Sequence, residues 1–221
     1  MKAPSVPDAD ELLAAVRAEG IRDSRLLAAI SDSPRAEFVP SALVPRAYLD
    51  APLPIGHEQV TTQPSLVARM VEALELGGRE RVLEIGTGFG WQTALLGRLA
   101  AHVWSVERWP DLAAEARTRL RRARIENVEI VIGDGTEGLP DHAPYDAIIV
   151  SAAFTSVPDA LGFQLGNGGR LVQPLGPGGA EEVVLFRKVG GQLERRRMIT
   201  RAHFVRLCGR HGFRDEARAR G

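Results

Sequence analysis

The chain has 221 residues, and its 28 lysines and arginines balance 28 aspartates and glutamates, so the formal net charge is zero. This length suits one α/β domain with a full core, and the balanced charge excludes a strong attraction to nucleic acid or an anionic membrane. A single cysteine, Cys208, rules out an internal disulfide framework. The first residues lack the apolar run of a signal peptide, and no stretch approaches the roughly 20 apolar residues of a membrane span. We therefore expect a soluble, cytoplasmic protein.

The amino-terminal third is predicted to be helical at both ends and irregular between them. Residues 8–19 and 25–30 carry apolar side chains on one face, as surface helices do. Residues 34–56 contain repeated prolines, which forbid a long helix. Apolar side chains recur at helical spacing again over residues 64–76, which predicts a third helix.

From residue 81 onward, short apolar runs alternate with helical patterns. This alternation predicts a parallel sheet wound by right-handed crossovers. The predicted strands are residues 81–85, 102–106, 128–132 and 145–150, with helices over residues 91–100 and 111–123.

The carboxyl-terminal part has a different pattern. Short glycine turns separate its apolar runs, which favours antiparallel pairing. The runs are RLVQPLG, EEVVLFRKV, QLERRRM and HFVRL, and the charged residues 214–221 are predicted to form a loose tail.

A glycine loop, GTGFGW, follows the strand at residues 81–85. Gly86 and Gly88 allow a sharp turn and a close approach to a ligand at the carboxyl end of a parallel strand. A dinucleotide fingerprint would need a third glycine where Trp91 stands, so a nicotinamide site is disfavoured, and there is no phosphate-binding G-x-x-x-x-G-K-[ST] motif.

Two acidic residues follow the next two strands. Glu107 lies about 20 residues after the loop, where a carboxylate often accepts hydrogen bonds from ribose hydroxyls. Asp134 lies between two glycines in IGDGT. Either residue alone is explained as a solvated charge or as turn chemistry. The glycine loop and both acids, each at the carboxyl end of a strand, together predict a cofactor site.

The whole chain, except the first few residues and the charged tail, resembles the protein L-isoaspartate (D-aspartate) O-methyltransferase family. The blocks that carry the resemblance are SPRAEFVP, AYLDAPLPIG, TTQP, VLEIGTGFGW, NVEIVIGDGTEG, APYDAIIVSAA, IVSAAFTSVPDAL, QLGNGGRLVQPLG and the closing FVRL. The resemblance implies a Rossmann-like class I methyltransferase fold of class α/β, in which a mostly parallel sheet has antiparallel carboxyl-terminal strands. An amino-terminal helical and loop extension precedes this sheet.

The resemblance also implies a function and a cofactor. The family transfers a methyl group from S-adenosyl-L-methionine, leaving S-adenosyl-L-homocysteine, to the free α-carboxylate of isoaspartyl residues in damaged proteins. The ester then closes to a succinimide, which reopens in part to normal aspartate. Isoaspartyl proteins or peptides are thus the implied substrates, in a repair reaction.

Site residues follow from the same resemblance. Thr62 stands where the family has its catalytic serine. The implied cofactor-binding residues are Thr61, Thr62, Gln63, Glu84, Gly86, Thr87, Gly88, Glu107, Asp134 and Gly135. The implied substrate-binding residues are Pro54, Ile55, Gly56, Ser151 and Ala152. From the residues alone, capping of the helix that starts at Pro64 is the simpler role for Thr62, and the two roles are compatible.

The implied reaction needs neither a general base nor a metal. A carboxylate has a reference pKa of about 4 and is already ionised at neutral pH. The five histidines show no spacing typical of a base or a metal site. The site must instead align the carboxylate oxygen with the methyl carbon and the sulfonium sulfur.

The chain departs from the family pattern at several positions. Glu58 stands in place of glycine and would weaken binding of an anion if it pointed inward. Thr62 keeps the hydroxyl of serine with a more restricted rotamer. Phe89, Trp91 and Ser151 are further changes.

Alternative functions remain open at this point. One is methylation of ordinary aspartate in a dedicated partner peptide, and another is non-catalytic binding of S-adenosylmethionine. Nucleic-acid methylation is disfavoured because an N-P-P-Y-type tetrapeptide is absent and the charge is balanced. We expect a monomer with one domain over residues 1–221, which comprises an amino-terminal and substrate-access segment (1–76), a core (77–213) and the tail.

Overall fold

The computed structural model describes residues 7–214, so the predicted tail lies outside the described residues except for Arg214. The helices are α1 (Ala9–Ala18), α2 (Ser24–Ser31), α3 (Pro64–Glu72), α4 (Trp91–Leu99), α5 (Pro110–Arg122) and α6 (Asp159–Gln164). The strands are β1 (Leu53–Gly56), β2 (Gln59–Thr61), β3 (Arg81–Ile85), β4 (His102–Glu107), β5 (Val128–Ile132), β6 (Tyr145–Val150), β7 (Leu165–Leu175), β8 (Glu181–Val189) and β9 (Gln192–Ala202).

Seven strands form one mixed sheet in the order β5-β4-β3-β6-β7-β8-β9. The first five strands run parallel, and β8 and β9 pair antiparallel at the carboxyl-terminal end. This arrangement confirms the predicted fold class. The prediction rested on the alternation of apolar runs with helices, which requires crossovers between parallel strands. The order reverses between β3 and β6, which is where open α/β sheets bind ligands.

The strands of the sheet alternate their side chains between two apolar layers. Val82 of β3 and Ile149 of β6 pack with helices α1 to α5 in the larger layer. Leu83 and Ile148 pack on the opposite face with Leu161 of α6. Within residues 7–214, no helix has the length and apolar character needed to cross a membrane.

The structure differs from the sequence prediction at two elements. Helix α3 ends at Glu72 rather than near residue 76, because Glu75 takes a left-handed φ of 48° that a helix cannot continue through. The prediction of a strand at HFVRL, residues 203–207, was wrong. Residues 203–207 make only an isolated parallel bridge, between Arg206 and Ala153. Their backbone hydrogen bonds go to Ala153, just after β6, and not to the free edge of β9.

The β1–β2 hairpin was not predicted from the sequence. Its turn residues, His57 and Glu58, have φ values of 50° and 57°, a conformation usually taken by glycine or asparagine. The imidazole of His57 lies on Trp109, with ring centroids 4.0 Å apart, and its Nε2 atom lies 2.8 Å from the carboxylate of Asp111. These contacts attach the hairpin to the start of α5.

Candidate functional site

A two-lobed cleft lies at the carboxyl ends of β3 and β4. The β1–β2 hairpin and the start of α3 form its opposite wall. Both lobes are lined by Gln59, Gly86, Glu107, Ser151 and Val205.

The glycine loop forms the floor of this cleft. Gly86, Gly88 and Gly90 all have positive φ values, of 94°, 55° and 89°. A Cβ atom on Gly88 would lie 3.1 Å from the side chain of Ile55, which faces it across the cleft. The loop therefore needs glycine both for its conformation and for the narrow space above it.

Glu107 places a buried carboxylate at the wall of the cleft. Its two oxygens accept hydrogen bonds from the backbone N–H groups of Gly88 (2.9 Å) and Trp109 (3.0 Å). Burial raises the pKa of Glu107, and these backbone hydrogen bonds oppose the rise. Each oxygen keeps a lone pair that can accept a further hydrogen bond from a bound hydroxyl.

Glu84 lies beneath the loop and does not reach the cleft. Its carboxylate is fully buried and accepts hydrogen bonds from Gln92 (2.8 Å), Thr93 (2.6 Å) and Ser105 (2.6 Å). Burial raises the pKa of Glu84 to about 7, against the effect of these donors. Gln92 also donates to the Ser151 hydroxyl at 2.9 Å, so Glu84 is connected to the cleft wall through one amide.

Asp134 uses its oxygens to hold the carboxyl-terminal segment. They accept hydrogen bonds from the Thr136 backbone (2.9 Å) and hydroxyl (2.7 Å) and from the Arg210 backbone (2.7 Å). Burial acts to raise the pKa of Asp134, but these hydrogen bonds outweigh it and hold the pKa below its ordinary value. Gly135 lines the second lobe, and a Cβ atom there would collide with Ile85.

Thr62 is one of the residues that line the first lobe. No residue in the described part of the chain forms a hydrogen bond with its Oγ1 atom, so its hydroxyl is free to bind a ligand. The expected capping role of Thr62 was wrong. The residue that precedes α3 is Gln63, and the N–H of Ser65 donates to Asp50 at 2.8 Å instead.

Arg35 and Asp50 hold the chain on either side of Thr62, and neither was predicted as a site residue. Arg35 donates to the Thr61 hydroxyl at 2.8 Å and to the Thr62 carbonyl at 3.2 Å. Burial lowers the pKa of Arg35 to about 10, with Asp50 opposing the change, so it stays charged at neutral pH. The sequence signal was an arginine in SPRAEFVP, one of the blocks that carry the family resemblance.

The predicted substrate residues divide into two groups. Ile55 and Ser151 line the first lobe, and Ala152 lines the second. Pro54 and Gly56 do not line either lobe, because alternate residues of β1 face solvent. Cleft residues that sequence reasoning missed include Phe38, Val67, Leu112 and Val205.

Glu58 and Gln63 also point away from the cleft. Glu58 is exposed at the hairpin turn and is not among the lining residues, so its charge does not face the cavity. The Gln63 amide donates to Asp50 at 2.9 Å and to Ser65 at 3.0 Å. Thr61 and Thr87 do line the cleft, although the Thr87 hydroxyl is bonded to Ser105. Residues 7–214 contain no cluster of three or more histidine, cysteine, aspartate or glutamate side chains suited to a metal ion.

Comparison with known proteins identifies relatives along nearly the whole chain. The family model for protein-L-isoaspartate(D-aspartate) O-methyltransferase matches residues 8–212. A protein-L-isoaspartate O-methyltransferase of Methanoculleus marisnigri is 50% identical over 201 residues, which are 91% of each chain. The enzyme of the same name from Alkalilimnicola ehrlichii is 50% identical over 202 residues, 90% of this chain and 91% of that one.

Solved structures have the same fold. A protein-L-isoaspartate O-methyltransferase aligns with a TM-score of 0.79 and 30% identity, over 92% of this chain and 67% of that one. A Plasmodium falciparum protein assigned to the same family, solved with S-adenosyl-L-homocysteine, aligns with a TM-score of 0.79 at 20% identity, over 91% of this chain and 99% of that one. The chain described here therefore belongs to the protein-L-isoaspartate(D-aspartate) O-methyltransferase family.

Proposed function

We infer that this protein transfers a methyl group from S-adenosylmethionine to the free α-carboxylate of L-isoaspartyl, and D-aspartyl, residues in damaged proteins. The observation that carries this inference is that Thr62 lines the same lobe as the glycine loop, and that its hydroxyl has no hydrogen-bond partner within residues 7–214. Relatives that are 50% identical over about nine tenths of the chain and carry the corresponding enzyme name support it.

The residues of the cleft fit the cofactor. The glycine loop leaves room for a ligand against the backbone, and Glu107 has the lone pairs to accept hydrogen bonds from two ribose hydroxyls. We propose that Thr61, Thr62, Gly86, Thr87, Gly88, Glu107 and Gly135 contact it directly. Three other residues would support the cofactor without contacting it, by fixing the segments that line the cleft: Gln63, Glu84 and Asp134. When bound, S-adenosylmethionine supplies a methyl group made electrophilic by a sulfonium.

Thr62 would orient the substrate carboxylate. A neutral hydroxyl can donate a hydrogen bond to one carboxylate oxygen and leave the other as the nucleophile, whereas a cation in contact would lower its reactivity more. The oxygen forms a bond to the methyl carbon as the bond from carbon to sulfur breaks, so no proton needs to be removed. A general base would therefore not be needed. The methyl ester is a good precursor of a succinimide, which hydrolyses in part to aspartate.

Methyl transfer to two matched synthetic peptides tests the proposal. One peptide contains isoaspartate and the other contains aspartate at the same position, and label is supplied on the cofactor methyl group. We expect label on the isoaspartyl peptide alone. Label on the aspartyl peptide would favour a peptide-tailoring enzyme instead. Cofactor binding without label on either peptide would contradict the proposal and favour a dedicated partner peptide or a binding protein without catalysis.

We further propose that the protein is a cytoplasmic monomer with one domain, which binds neither nucleic acid nor a membrane. The balanced charge of the chain supports this. The larger apolar layer also joins the amino-terminal helices to the sheet, from Leu12 to Ile199. Size-exclusion chromatography with light scattering should give the mass of one chain, 23.9 kDa. A dimer mass would contradict the proposed oligomeric state.

A further inference from the structure

We propose that Arg35 is a positioning residue that fixes Thr62 for methyl transfer. Arg35 lies in the short 3-10 turn of residues 35–38, and its side chain is 1% exposed. The guanidinium reaches across the amino-terminal segment to the residues just before α3. It touches neither the cleft nor the proposed substrate, so it would act through the backbone and through Thr61. This inference rests on the proposed function of the site.

The contacts of Arg35 join two separate segments of the chain. One terminal nitrogen donates to the carbonyls of Ala47 (3.1 Å) and Leu49 (2.9 Å). The other donates to the Ala51 carbonyl (3.0 Å), the Thr61 hydroxyl (2.8 Å) and the Thr62 carbonyl (3.2 Å). The two terminal nitrogens carry four N–H groups for these five acceptors, so one N–H is shared between two of the three acceptors of the second nitrogen. A lysine ammonium has three N–H groups on one atom and cannot reach both sets of acceptors.

Arg35 is also held in place itself. Its Cζ atom lies 5.7 Å from the ring centroid of Trp91, whose indole N–H donates to the Ser33 carbonyl at 2.9 Å. On the other side of Thr62, Asp50 accepts hydrogen bonds from the Gln63 amide and the Ser65 backbone. Arg35 and Asp50 therefore hold residues 61–65 from both ends, whereas the Thr62 hydroxyl between them makes no hydrogen bond of its own in the described chain.

This arrangement matters because methyl transfer depends on alignment. Displacement of an orienting group by about 1 Å can lower a rate by about 100-fold. Because Arg35 fixes the Thr62 carbonyl and the neighbouring hydroxyl, its loss should move the Thr62 side chain relative to the cofactor. Binding of the cofactor should change less than kcat, since Arg35 contacts Trp91 at the end of the glycine loop but forms no hydrogen bond with Gly86, Gly88 or Glu107.

Three variants separate this role from general stabilisation. Arg35→Lys keeps the positive charge but loses the fork, and Thr61→Val removes one acceptor of Arg35 with little change in shape. Arg25→Lys is the matched control, because Arg25 likewise donates to two carbonyls, of Leu76 (2.7 Å) and Leu99 (3.2 Å), away from the cleft. Each variant is measured for kcat, KM for an isoaspartyl peptide, affinity for S-adenosyl-L-homocysteine, melting temperature and the ¹³C-methyl resonance of Thr62.

We expect Arg35→Lys to lower kcat by about 10- to 100-fold. KM for the isoaspartyl peptide and the affinity for S-adenosyl-L-homocysteine should stay within about twofold of the wild-type values. Thr61→Val should lower kcat less, and both should shift the Thr62 methyl resonance. Arg25→Lys should lower the melting temperature without lowering kcat or shifting that resonance. The positioning role is overturned if Arg35→Lys retains kcat, or if the Thr62 resonance shifts equally in Arg25→Lys. If Arg35→Lys does not fold, Thr61→Val decides through kcat and cofactor affinity together, because Thr61 is also proposed to contact the cofactor. A lower kcat with unchanged affinity for S-adenosyl-L-homocysteine would support the positioning role, and any other result would overturn it.

The resonance also separates failure of this inference from failure of the proposed function. A wild-type protein that methylates no isoaspartyl peptide would contradict the function. A Thr62 resonance that still shifted in Arg35→Lys and Thr61→Val, but not in Arg25→Lys, would then leave the positioning role of Arg35 supported. An unshifted resonance would overturn it whatever the activity.

Discussion

The hydroxyl of Thr62, a residue of the first lobe, forms no hydrogen bond within residues 7–214 and is therefore able to donate to a carboxylate. We predict that Thr62→Val, which keeps the branched shape, lowers kcat by about 10- to 100-fold, because a hydrogen bond to a charged group contributes about 1.5–3 kcal/mol. Thr62→Ser should retain most of the activity. Equal kcat in the valine variant and the wild type would exclude the hydroxyl from the reaction.

Glu107 is the residue whose carboxylate is proposed to bind the ribose hydroxyls of the cofactor. The residue is 5% exposed and lines both lobes of the cleft. We predict that Glu107→Gln raises the dissociation constant for S-adenosyl-L-homocysteine by about tenfold or more, because the amide replaces an acceptor with a donor. Isothermal titration calorimetry measures this. Glu194→Gln, which changes an exposed acid on β9, is the control and should leave the affinity unchanged.

At the scale of elements, Glu84 joins β3 to β4 through Ser105 and to α4 through Thr93. Its folded-state pKa of about 7 lies above the ordinary value of 4.5, so the folded protein holds this proton more tightly than the unfolded chain. The resulting stabilisation is complete below about pH 4.5 and is lost as the pH rises to about 7.

We therefore predict that Glu84→Gln removes this pH dependence. Between pH 5 and 8, the free energy of unfolding of the wild type should fall relative to that of the variant, by a few kcal/mol at most. Urea unfolding at several pH values measures the difference between the two proteins. Parallel curves over that range would mean that Glu84 ionises as freely in the folded protein as in the unfolded chain.

The β1–β2 hairpin is the element that covers the glycine loop. His57 stacks on Trp109 and pairs with Asp111, whose pKa the His57 hydrogen bond lowers. We predict that His57→Ala raises the dissociation rate of S-adenosyl-L-homocysteine by about two- to tenfold, in line with the 0.5–1.5 kcal/mol of an aromatic pair. Stopped-flow fluorescence follows the release. Glu58→Ala changes the neighbouring turn residue and should leave the rate unchanged; an equal increase there would point to loosening of the whole turn.

Across the whole molecule, the sequence predicted the periodic parts and missed those that depend on tertiary contacts. The strands at residues 81–85 and 145–150 were predicted because buried parallel strands are continuous apolar runs. The hairpin was missed because His57 and Glu58 are not typical turn residues, and contacts with α5 hold them. HFVRL has the composition of a strand, but whether a strand finds a partner depends on the rest of the sheet.

The candidate site shows the same division. The glycine loop and Glu107 could be predicted, because strand ends meet at one edge of a parallel sheet. The hydrogen-bond partners of individual side chains could not be predicted. Asp134 bonds to the carboxyl-terminal segment and Glu84 to the layer beneath the loop, and both bonds depend on residues distant in sequence. Arg35 was missed for the same reason, since its acceptors lie up to 27 residues away.

Repair of isoaspartate is tested most directly by the fate of a substrate peptide. A synthetic isoaspartyl peptide is incubated with the protein and S-adenosylmethionine, and the aspartyl form is quantified by chromatography over several hours. We predict that the aspartyl peptide accumulates as the isoaspartyl peptide declines, and that neither changes without the cofactor. An unchanged isoaspartyl peptide, or conversion of the aspartyl peptide to the isoaspartyl form, would contradict the account.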